Sequence, residues 1–351
     1  MENEILEEKP LAEEQTAEEE KVQYKEMSPI RLVFRRFFRS KLSIVGLVML
    51  VFLFLFSFLG PVLLHACGYK WGEITTDETP SVVEVIDYIS FQGPNGETIW
   101  TYQIQEQTIY TNIKDAPSKS HFLGTDEKGM DVFIRLMYGG RISLTLGFVV
   151  VILETVLGVI LGGIAGYFGK WVDQVIMRIV DIFNCIPTLP ILLIASEVLK
   201  SWQIDPKVRI YYLMVILTIF GWSGTARMVR GQILSLREQE FMVATEVMGL
   251  PIHRRIFKHL VPNVMPQLIV SMTLGLGSII LYESTLSYLN LGIPIPYAAW
   301  GTMISSANDP TILANYPFLW IPAGILIVIA VLGFNFVGDG LRDAMDPKMK
   351  R

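Results

Sequence analysis

Hydrophobic and polar positions divide the chain into six long apolar runs separated by polar segments. Each run holds about twenty residues, which is the length that a helix needs to cross the hydrocarbon core of a bilayer. The pattern therefore predicts an all-α polytopic membrane protein with six transmembrane helices. The predicted spans cover residues 42–65, 142–167, 174–199, 210–229, 262–284 and 317–338.

Composition and charge support this fold class and predict an orientation. The chain of 351 residues is 18% charged, whereas soluble domains carry about 25% charged residues. Lys and Arg are concentrated in three polar segments, 21–41, 227–258 and 342–351, which six spans place on one side of the membrane. The positive-inside rule assigns that side to the cytoplasm, so both termini are expected there. About forty polar residues precede the first run, unlike in a cleavable signal peptide, so this run is expected to remain as an anchor.

The segments outside the spans differ in character. Residues 1–27 are rich in glutamate and predict a disordered acidic cytoplasmic tail. Residues 28–41 interleave phenylalanines with arginines and predict an amphipathic helix at the membrane interface. Residues 66–121 contain strand-like pieces and an Asn95-Gly96 turn signal, which predict a small β-rich extracytoplasmic insertion. The other parts are the first transmembrane helix at 42–65, a five-helix core at 122–338 with a cytoplasmic loop at 236–260, and the cytoplasmic C-terminus at 339–351.

The loop contains the stretch EFMVATEVMGLPIHRRIFKHLVPN, which is basic and too polar to span a membrane. A helix is predicted from Glu240 to Met248. Gly249 and Pro251 predict a sharp turn after it, and a second helical piece is expected from about His253. Apolar and basic side chains on a short exposed helix suit docking into a groove of another protein. A surface helix without a partner is the alternative.

Four residues within the spans are candidates for a pathway. Glu154 and Glu283 are expected deep in their spans, and carboxyl groups inside a membrane are functional candidates. Pro187 and Pro190 interrupt the third span, as in helices that line a protein-covered cavity. A packing bend is the alternative interpretation of the two prolines.

The second span carries Gly158, Gly162 and Gly166 at four-residue spacing. Small residues on one face let helices approach closely in lipid. We therefore expect this span to pack tightly against a neighbouring helix, whatever the substrate.

Other chemistry is not indicated. No GxxxxGK[ST] sequence is present, so the chain is not expected to hydrolyse ATP in that way by itself. The four histidines form no metal-spaced cluster, and Cys67 and Cys185 lie in different segments, so no disulfide is expected. The chain is expected to be non-catalytic and to bind no cofactor, metal or nucleic acid.

The loop stretch resembles the EAA loop of ABC importer permeases, because Ala244, Gly249 and Pro262 stand at the family's positions. Four positions depart from that pattern: Val243, Thr245, His259 and Val261. Further stretches resemble the C-type permease of dipeptide/oligopeptide ABC importers: HFLGTDEKGMDVFIRLMYGGRISLTLG, ARMVRGQILSLREQEF, LSYLNLGIPIPYAAWGTMI and GDGLRDAMDPKMKR. The likeness extends from about Ile30 to the end of the sequence.

The resemblance implies a type I ABC importer permease fold in the bacterial cytoplasmic membrane. It also implies a homologous second permease, two cytoplasmic ATPases that use ATP and Mg, and an extracytoplasmic peptide-binding protein. The helix before Gly249 would couple the ATPases to the spans. The residues thereby assigned to ATPase coupling are Glu240, Phe241, Ala244, Thr245, Met248, Gly249, Leu250, Pro251, Arg254, Arg255 and Pro262.

The segment before the second span resembles the family's GTDxxGRD pattern, with Met130 at the arginine position. The candidates for docking the binding protein are Gly124, Thr125, Asp126 and Asp131. Thr and Asp side chains near the start of a helix also suit capping, which is the alternative role.

Three alternatives for function remain open. A permease of this family could import nickel chelates or another small solute. A proton-coupled secondary transporter would use Glu154 and Glu283 as relays and would need no ATPase. A membrane scaffold or receptor would use the 66–121 insertion as a sensor.

Overall fold

The computed structural model describes residues 29–67, 81–92, 94, 97–109, 112–202, 204–289, 292–293 and 297–346. The expected acidic tail, residues 1–27, lies outside them. The helices are α1 (Pro29–Phe37), α2 (Lys41–Ala66), α3 (Val132–Phe168), α4 (Lys170–Cys185), α5 (Thr188–Ser201), α6 (Pro206–Leu236), α7 (Glu240–Val247), α8 (Ile252–Tyr288), α9 (Trp300–Ile304), α10 (Pro310–Asn315) and α11 (Pro317–Met345). The strands are β1 (Ser81–Gln92) and β2 (Thr98–Ile109).

Five of these helices are long and apolar enough to cross a membrane: α2, α3, α6, α8 and α11. A sixth span is obtained when α4 and the first twelve residues of α5 are counted together, although their axes are bent by 76°. The protein is therefore an integral membrane protein with five to six spans, consistent with the predicted helical class.

The predicted third span, residues 174–199, is a broken one. Ile186 has an extended backbone (φ −79°, ψ 123°), as expected for a residue that precedes proline. Pro187 lies at the break, whereas Pro190 lies in the first turn of α5, where proline is tolerated. Only Pro187 therefore accounts for the interruption.

Several helices extend beyond the apolar runs that predicted them. α3 begins at Val132 rather than near 142, and α11 continues to Met345 rather than ending near 338. The second helical piece expected from His253 is continuous with the fifth span through a π-helical segment, Arg255–Leu260. Hydropathy marks the part of a helix that is apolar, whereas the backbone hydrogen bonds of the helix continue into polar sequence.

The tightest packing in the bundle is between α3 and α6. Gly158 and Gly166 both face α6, where an added Cβ would lie 2.6 Å from Thr225 Cβ and 2.9 Å from the Arg230 carbonyl. Gly162 likewise lies against the carbonyl of Ala226. The predicted glycine-mediated helix contact is therefore confirmed.

The long helices share one apolar core, and their outer faces are apolar too. Buried core residues from α2, α3, α6, α8 and α11 are Leu53, Leu146, Leu217, Ile280 and Phe334. On α2, Val48, Leu55 and Val62 are each more than half exposed, as expected for side chains that face lipid.

The N-terminal and C-terminal helices meet at one end of the bundle. α1 is shorter than the expected 28–41 helix and is followed by the N-cap Ser40 of α2. Its Phe34 is exposed, its Phe37 is buried, and Arg36 donates to the carbonyl of Asp346 beyond α11 at 3.1 Å. We call this end, which also carries α7, the loop end, and the opposite end the far end.

The chain between α2 and α3 contains one antiparallel hairpin. β1 pairs with β2 from Ser81↔Ile109 to Gln92↔Thr98. The expected β-rich insertion at 66–121 thus amounts, within the residues described, to these two strands.

Candidate functional site

The loop between α6 and α8 is a short helix that ends in a left-handed turn. α7 follows Gln239 and carries Glu240 in its first turn, where negative charge is favourable. Gly249 has φ +69°, and its N–H donates to the Glu246 carbonyl at 2.9 Å. A Cβ at Gly249 would meet no atom within 4 Å, so the backbone rather than the packing favours glycine. Pro251 (φ −65°) then leads into α8.

α7 turns one face to the bundle and the other to the outside. Met242 and Thr245 are buried, with 4% and 6% of their surface exposed. Val247 and Met248 are 83% and 72% exposed, and Phe241 is exposed beside them. Clustered exposed apolar side chains of this kind, beyond the end of a span, are typical of an interaction surface.

The residues assigned to coupling do not all lie on that surface. Thr245 is buried, and its hydroxyl donates to the Met242 carbonyl at 2.7 Å within α7. Thr245 faces the bundle because it lies about one helical turn from Met242, on the same side of α7. Leu260, on α8, is fully buried as well. Leu250 and Arg255 are partly buried, and the exposed members are Glu240, Phe241, Ala244, Met248, Gly249, Pro251, Arg254 and Pro262.

Arg255 fixes α7 to the rest of the bundle. Its Nε donates to the Leu250 carbonyl at 3.0 Å, its Nη1 lies 3.5 Å from Glu246 Oε1, and its guanidinium lies 5.9 Å from the centre of the Tyr167 ring. Arg237, at the end of α6, donates to the carbonyl of the same Tyr167 at 3.2 Å. The loop and the end of α3 are therefore joined through two arginines.

The residues before α3 hold their own loop together. Thr125 is fully buried, donates to the Asn112 carbonyl and accepts from the Asp115 N–H at 2.9 Å. Gly124 has φ +78°, and the Asp115 carbonyl lies against its α-carbon. These two docking candidates have no side-chain surface to offer a partner.

Two carboxylates complete this loop. Asp131 Oδ1 accepts from the Ile134 N–H at 3.0 Å, which confirms the capping role. Its Oδ2 lies 2.8 Å from His121 Nδ1, and both side chains are buried. Asp126 Oδ2 lies 3.2 Å from Arg135 Nε and keeps 20% of its side chain exposed. Of the four docking candidates, Asp126 alone is accessible to a partner.

The two span carboxylates do not form one site. Glu283 is fully buried, accepting from Ser143 Oγ at 3.0 Å and from Ser287 Oγ at 2.7 Å. Glu154 lies against Gly221, and its Oε1 is buried without a hydrogen-bond partner among the described residues. Along α3, about three turns or roughly 16 Å separate Ser143 from Glu154. The structure therefore does not bring the two carboxylates together as a relay.

Comparison with protein families decides the class of this chain. A model of the family described as binding-protein-dependent transport system inner membrane component matches residues 158–351, which is more than half of the chain. The chain belongs to this family. A second model, the N-terminal TM domain of oligopeptide transport permease C, matches residues 28–69 of the permease. The hairpin lies outside both matches.

Relatives of the permease are similar over most of their length. The oligopeptide transport system permease protein OppC of Bacillus subtilis is 36% identical over 333 residues, 95% of this chain and 94% of the relative. The dipeptide transport system permease protein DppC of the same species is 35% identical over 344 residues, 97% of this chain and 92% of the relative. OppC of Haemophilus influenzae is 32% identical over 316 residues, 90% of this chain and 87% of the relative.

Sequence reasoning missed several polar contacts of the permease. His121 and Arg135 complete the loop before α3, and they lie three residues before and four residues after the 124–131 motif that drew attention to it. A row of polar pairs also joins α4 to α6, of which Asp173–Arg230 is the least exposed. The signal in the sequence was the presence of aspartates in α4 and of arginines in α6, which can pair between the two helices. In the described part of the chain, no three His, Cys, Asp or Glu side chains group as a metal site requires.

Proposed function

We propose that this permease is the transmembrane subunit of an ATP-driven importer and forms half of the pathway for di- or oligopeptides. The observation that carries the proposal is α7, an exposed apolar helix at the loop end that is closed by a left-handed glycine and anchored to three long helices. Relatives named for oligopeptide and dipeptide transport, similar over more than nine-tenths of this chain, support the substrate class.

In this proposal the chemistry of ATP belongs to two cytoplasmic ATPases, and this chain supplies the mechanical connection. Val247, Met248 and Phe241 enter a groove on the ATPase as an apolar helix face. When the ATPases approach each other, α7 moves with them. Arg255 and Arg237 pass that movement to α3 because both hold its last turn. The spans then rock between two rigid arrangements, which opens the pathway to alternate sides.

The same proposal assigns the orientation of the chain in the membrane and its other partners. The loop end faces the cytoplasm of a bacterial cell, as the concentration of Lys and Arg there favours. A second, homologous permease completes the pathway. A peptide-binding protein binds at the far end, and Asp126 and the β1–β2 hairpin are the surfaces that contact it.

Purification of the tagged chain from its host in mild detergent tests the proposal. Stoichiometric P-loop ATPases and a second permease are expected with the wild type. Val247→Asp combined with Met248→Asp should remove the ATPases but keep the second permease. Ile113→Asp, which changes a 51% exposed apolar residue in the segment before α3, is the matched control and should keep both. A chain that purifies without any ATPase would overturn the proposal.

A further inference from the structure

α4 and α6 are joined by polar pairs along the half of the bundle nearest the loop end. Arg230 Nε donates to Asp173 Oδ1 at 2.9 Å, and the Arg230–Asp173 pair is mostly shielded from solvent. Farther from the loop end, Arg227 Nη2 donates to Asp181 Oδ1 at 2.9 Å. The first pair, which is largely shielded, holds the two helices together, whereas the second pair is open to solvent.

The Arg227–Asp181 pair is exposed on the surface of the bundle. The side chains of Arg227 and Asp181 are 55% and 48% exposed, and Arg178, 3.7 Å from Asp181, is 83% exposed. We call these three residues, with their neighbours Cys185, Gly224 and Gly231, the polar seam. It carries two positive charges and one negative charge on one open face.

The position of Asp181 argues against lipid as the surroundings of the polar seam. Asp181 lies seven residues, or roughly 10 Å, inside the predicted third span (174–199). Arg227 lies two residues from the end of the predicted fourth span (210–229). An Arg side chain can reach several ångströms toward the interface, but the short Asp side chain cannot. Ionised groups at such depth face protein or a water-filled cavity rather than hydrocarbon.

The other members of the polar seam are small. Cys185 is exposed one turn beyond Asp181. Gly224 and Gly231 flank Arg227 by about one turn on either side, and an added Cβ at either glycine would meet no atom within 4 Å. The outer face of α2, with its exposed Val48, Phe52 and Leu55, has the opposite composition. On the α6 side of the seam, a charge and two glycines favour a hydrated, open surface, whereas the large apolar residues of α2 favour lipid.

An open groove on α4 adjoins the charges of the polar seam. Its volume is about 500 Å³, and Arg178 lines it together with apolar side chains. The lining residues are Trp171, Gln174, Val175, Arg178, Ile179 and Ile182. A guanidinium that keeps most of its N–H donors exposed, beside apolar walls, matches a ligand with a carboxylate and apolar side chains.

We propose that the polar seam is a wall of the hydrated translocation pathway, and that Arg178 and Arg227 receive the terminal carboxylate of a passing peptide. The inference rests on the proposed function for the identity of the ligand. The two arginines outnumber the single Asp181, so the seam retains positive charge for a carboxylate. Pro187, a pathway candidate from the sequence, lies just beyond the same end of α4, whereas Glu154 and Glu283 belong to other contacts.

Native Cys185 provides the first test, in the assembled importer with Cys67→Ser. A charged, membrane-impermeant thiosulfonate and a lipid-soluble maleimide are applied to vesicles in which the loop end of the importer faces the medium. The mass of this chain is then measured. The charged reagent is expected to modify Cys185. Val51→Cys on α2, placed in a chain without Cys67 and Cys185, is the control and should react with the maleimide alone. If Cys185 reacts with the maleimide alone, or with neither reagent because the second permease covers it, the proposal is overturned.

A second test concerns the carboxylate. Arg178→Gln should lower the maximal rate of ATP-driven uptake about tenfold for peptides with a free C-terminus, because a charge-assisted hydrogen bond is lost. Assembly should be unaffected, since the Arg178 side chain is exposed. Unchanged uptake would overturn the carboxylate assignment. If the wild type imports no peptide at all, the proposed function fails instead, and the labelling of Cys185 still decides whether the seam is hydrated.

Discussion

The loop helix α7 and the segment 121–135 before α3 use their distinctive residues in opposite ways. α7 keeps Val247 and Met248 exposed and is held in position through Arg255, in the first turn of α8. The segment before α3 buries Thr125 and Asp131, and its side chains bond to one another and to the backbone. In this protein the polar motif beside α3 therefore serves the fold, whereas in our proposal the exposed apolar residues of α7 bind a partner.

The largest expected effect on transport comes from Gly249. Gly249→Arg should reach the membrane in normal amounts and lose more than nine-tenths of ATP-driven uptake. The substitution adds backbone strain of about 1 kcal/mol at a positive φ and a charge on the α7 surface. Gly249→Ala carries only the strain and should retain most uptake. Full uptake by the arginine variant would remove the basis for treating α7 as the coupling element.

Asp131→Ala should have the largest effect on stability. The change removes an N-cap, which costs about 1 kcal/mol. It also takes away the carboxylate that lies 2.8 Å from buried His121 Nδ1, at about 1–3 kcal/mol. Thermal unfolding of the complex in detergent should move to lower temperature, while uptake per folded complex should persist. Glu127→Ala, in the same motif but exposed, is the control. Loss of uptake without loss of stability would instead assign Asp131 to docking.

Arg255→Gln should separate the binding of the ATPases from the transmission of their movement to the spans. The ATPases should still be retained, because Val247 and Met248 remain exposed. Uptake per ATP hydrolysed should fall several-fold, since the contacts to Leu250, Glu246 and Tyr167 are weakened. Arg254→Gln, on an exposed neighbour, should leave that ratio near the wild-type value. Equal ratios for the two variants would argue against transmission through Arg255.

The smallest effect is expected from Thr245→Val. The Thr245 hydroxyl bonds only within α7, so its loss should cost about 1 kcal/mol or less and leave retention of the ATPases unchanged. Ala244→Glu, one residue away on the exposed face, should weaken retention more. The reverse order would mean that the buried and exposed faces of α7 have been assigned wrongly.

The sequence predicted those features that depend on local pattern. The spans follow from runs of apolar residues, the close approach of α3 to another helix follows from Gly158, Gly162 and Gly166, and the turn after α7 follows from Gly249. Each of these depends on residues close together in the chain.

Features that depend on distant residues were not predictable in the same way. Which face of α7 is buried depends on where α8 returns to the bundle, so the sequence did not show that Thr245 is buried. Glu283 looked like a relay because Ser143, which satisfies it, lies on another span. The Arg227–Asp181 pair joins α4 to α6, and the sequence alone does not give the distance between these two helices.

The continuity of α8 has a geometric consequence. Its 37 residues span roughly 55 Å, so a tilt of one degree about its loop end would move its far end by about 1 Å. The helix begins directly after Pro251 and the α7 turn. Glu283 lies near the other end, tied to Ser143 on α3, which in turn accepts from the Trp300 N–H at 3.3 Å. A rotation of a few degrees at the loop end would therefore arrive at this buried cluster as a displacement larger than a hydrogen bond tolerates.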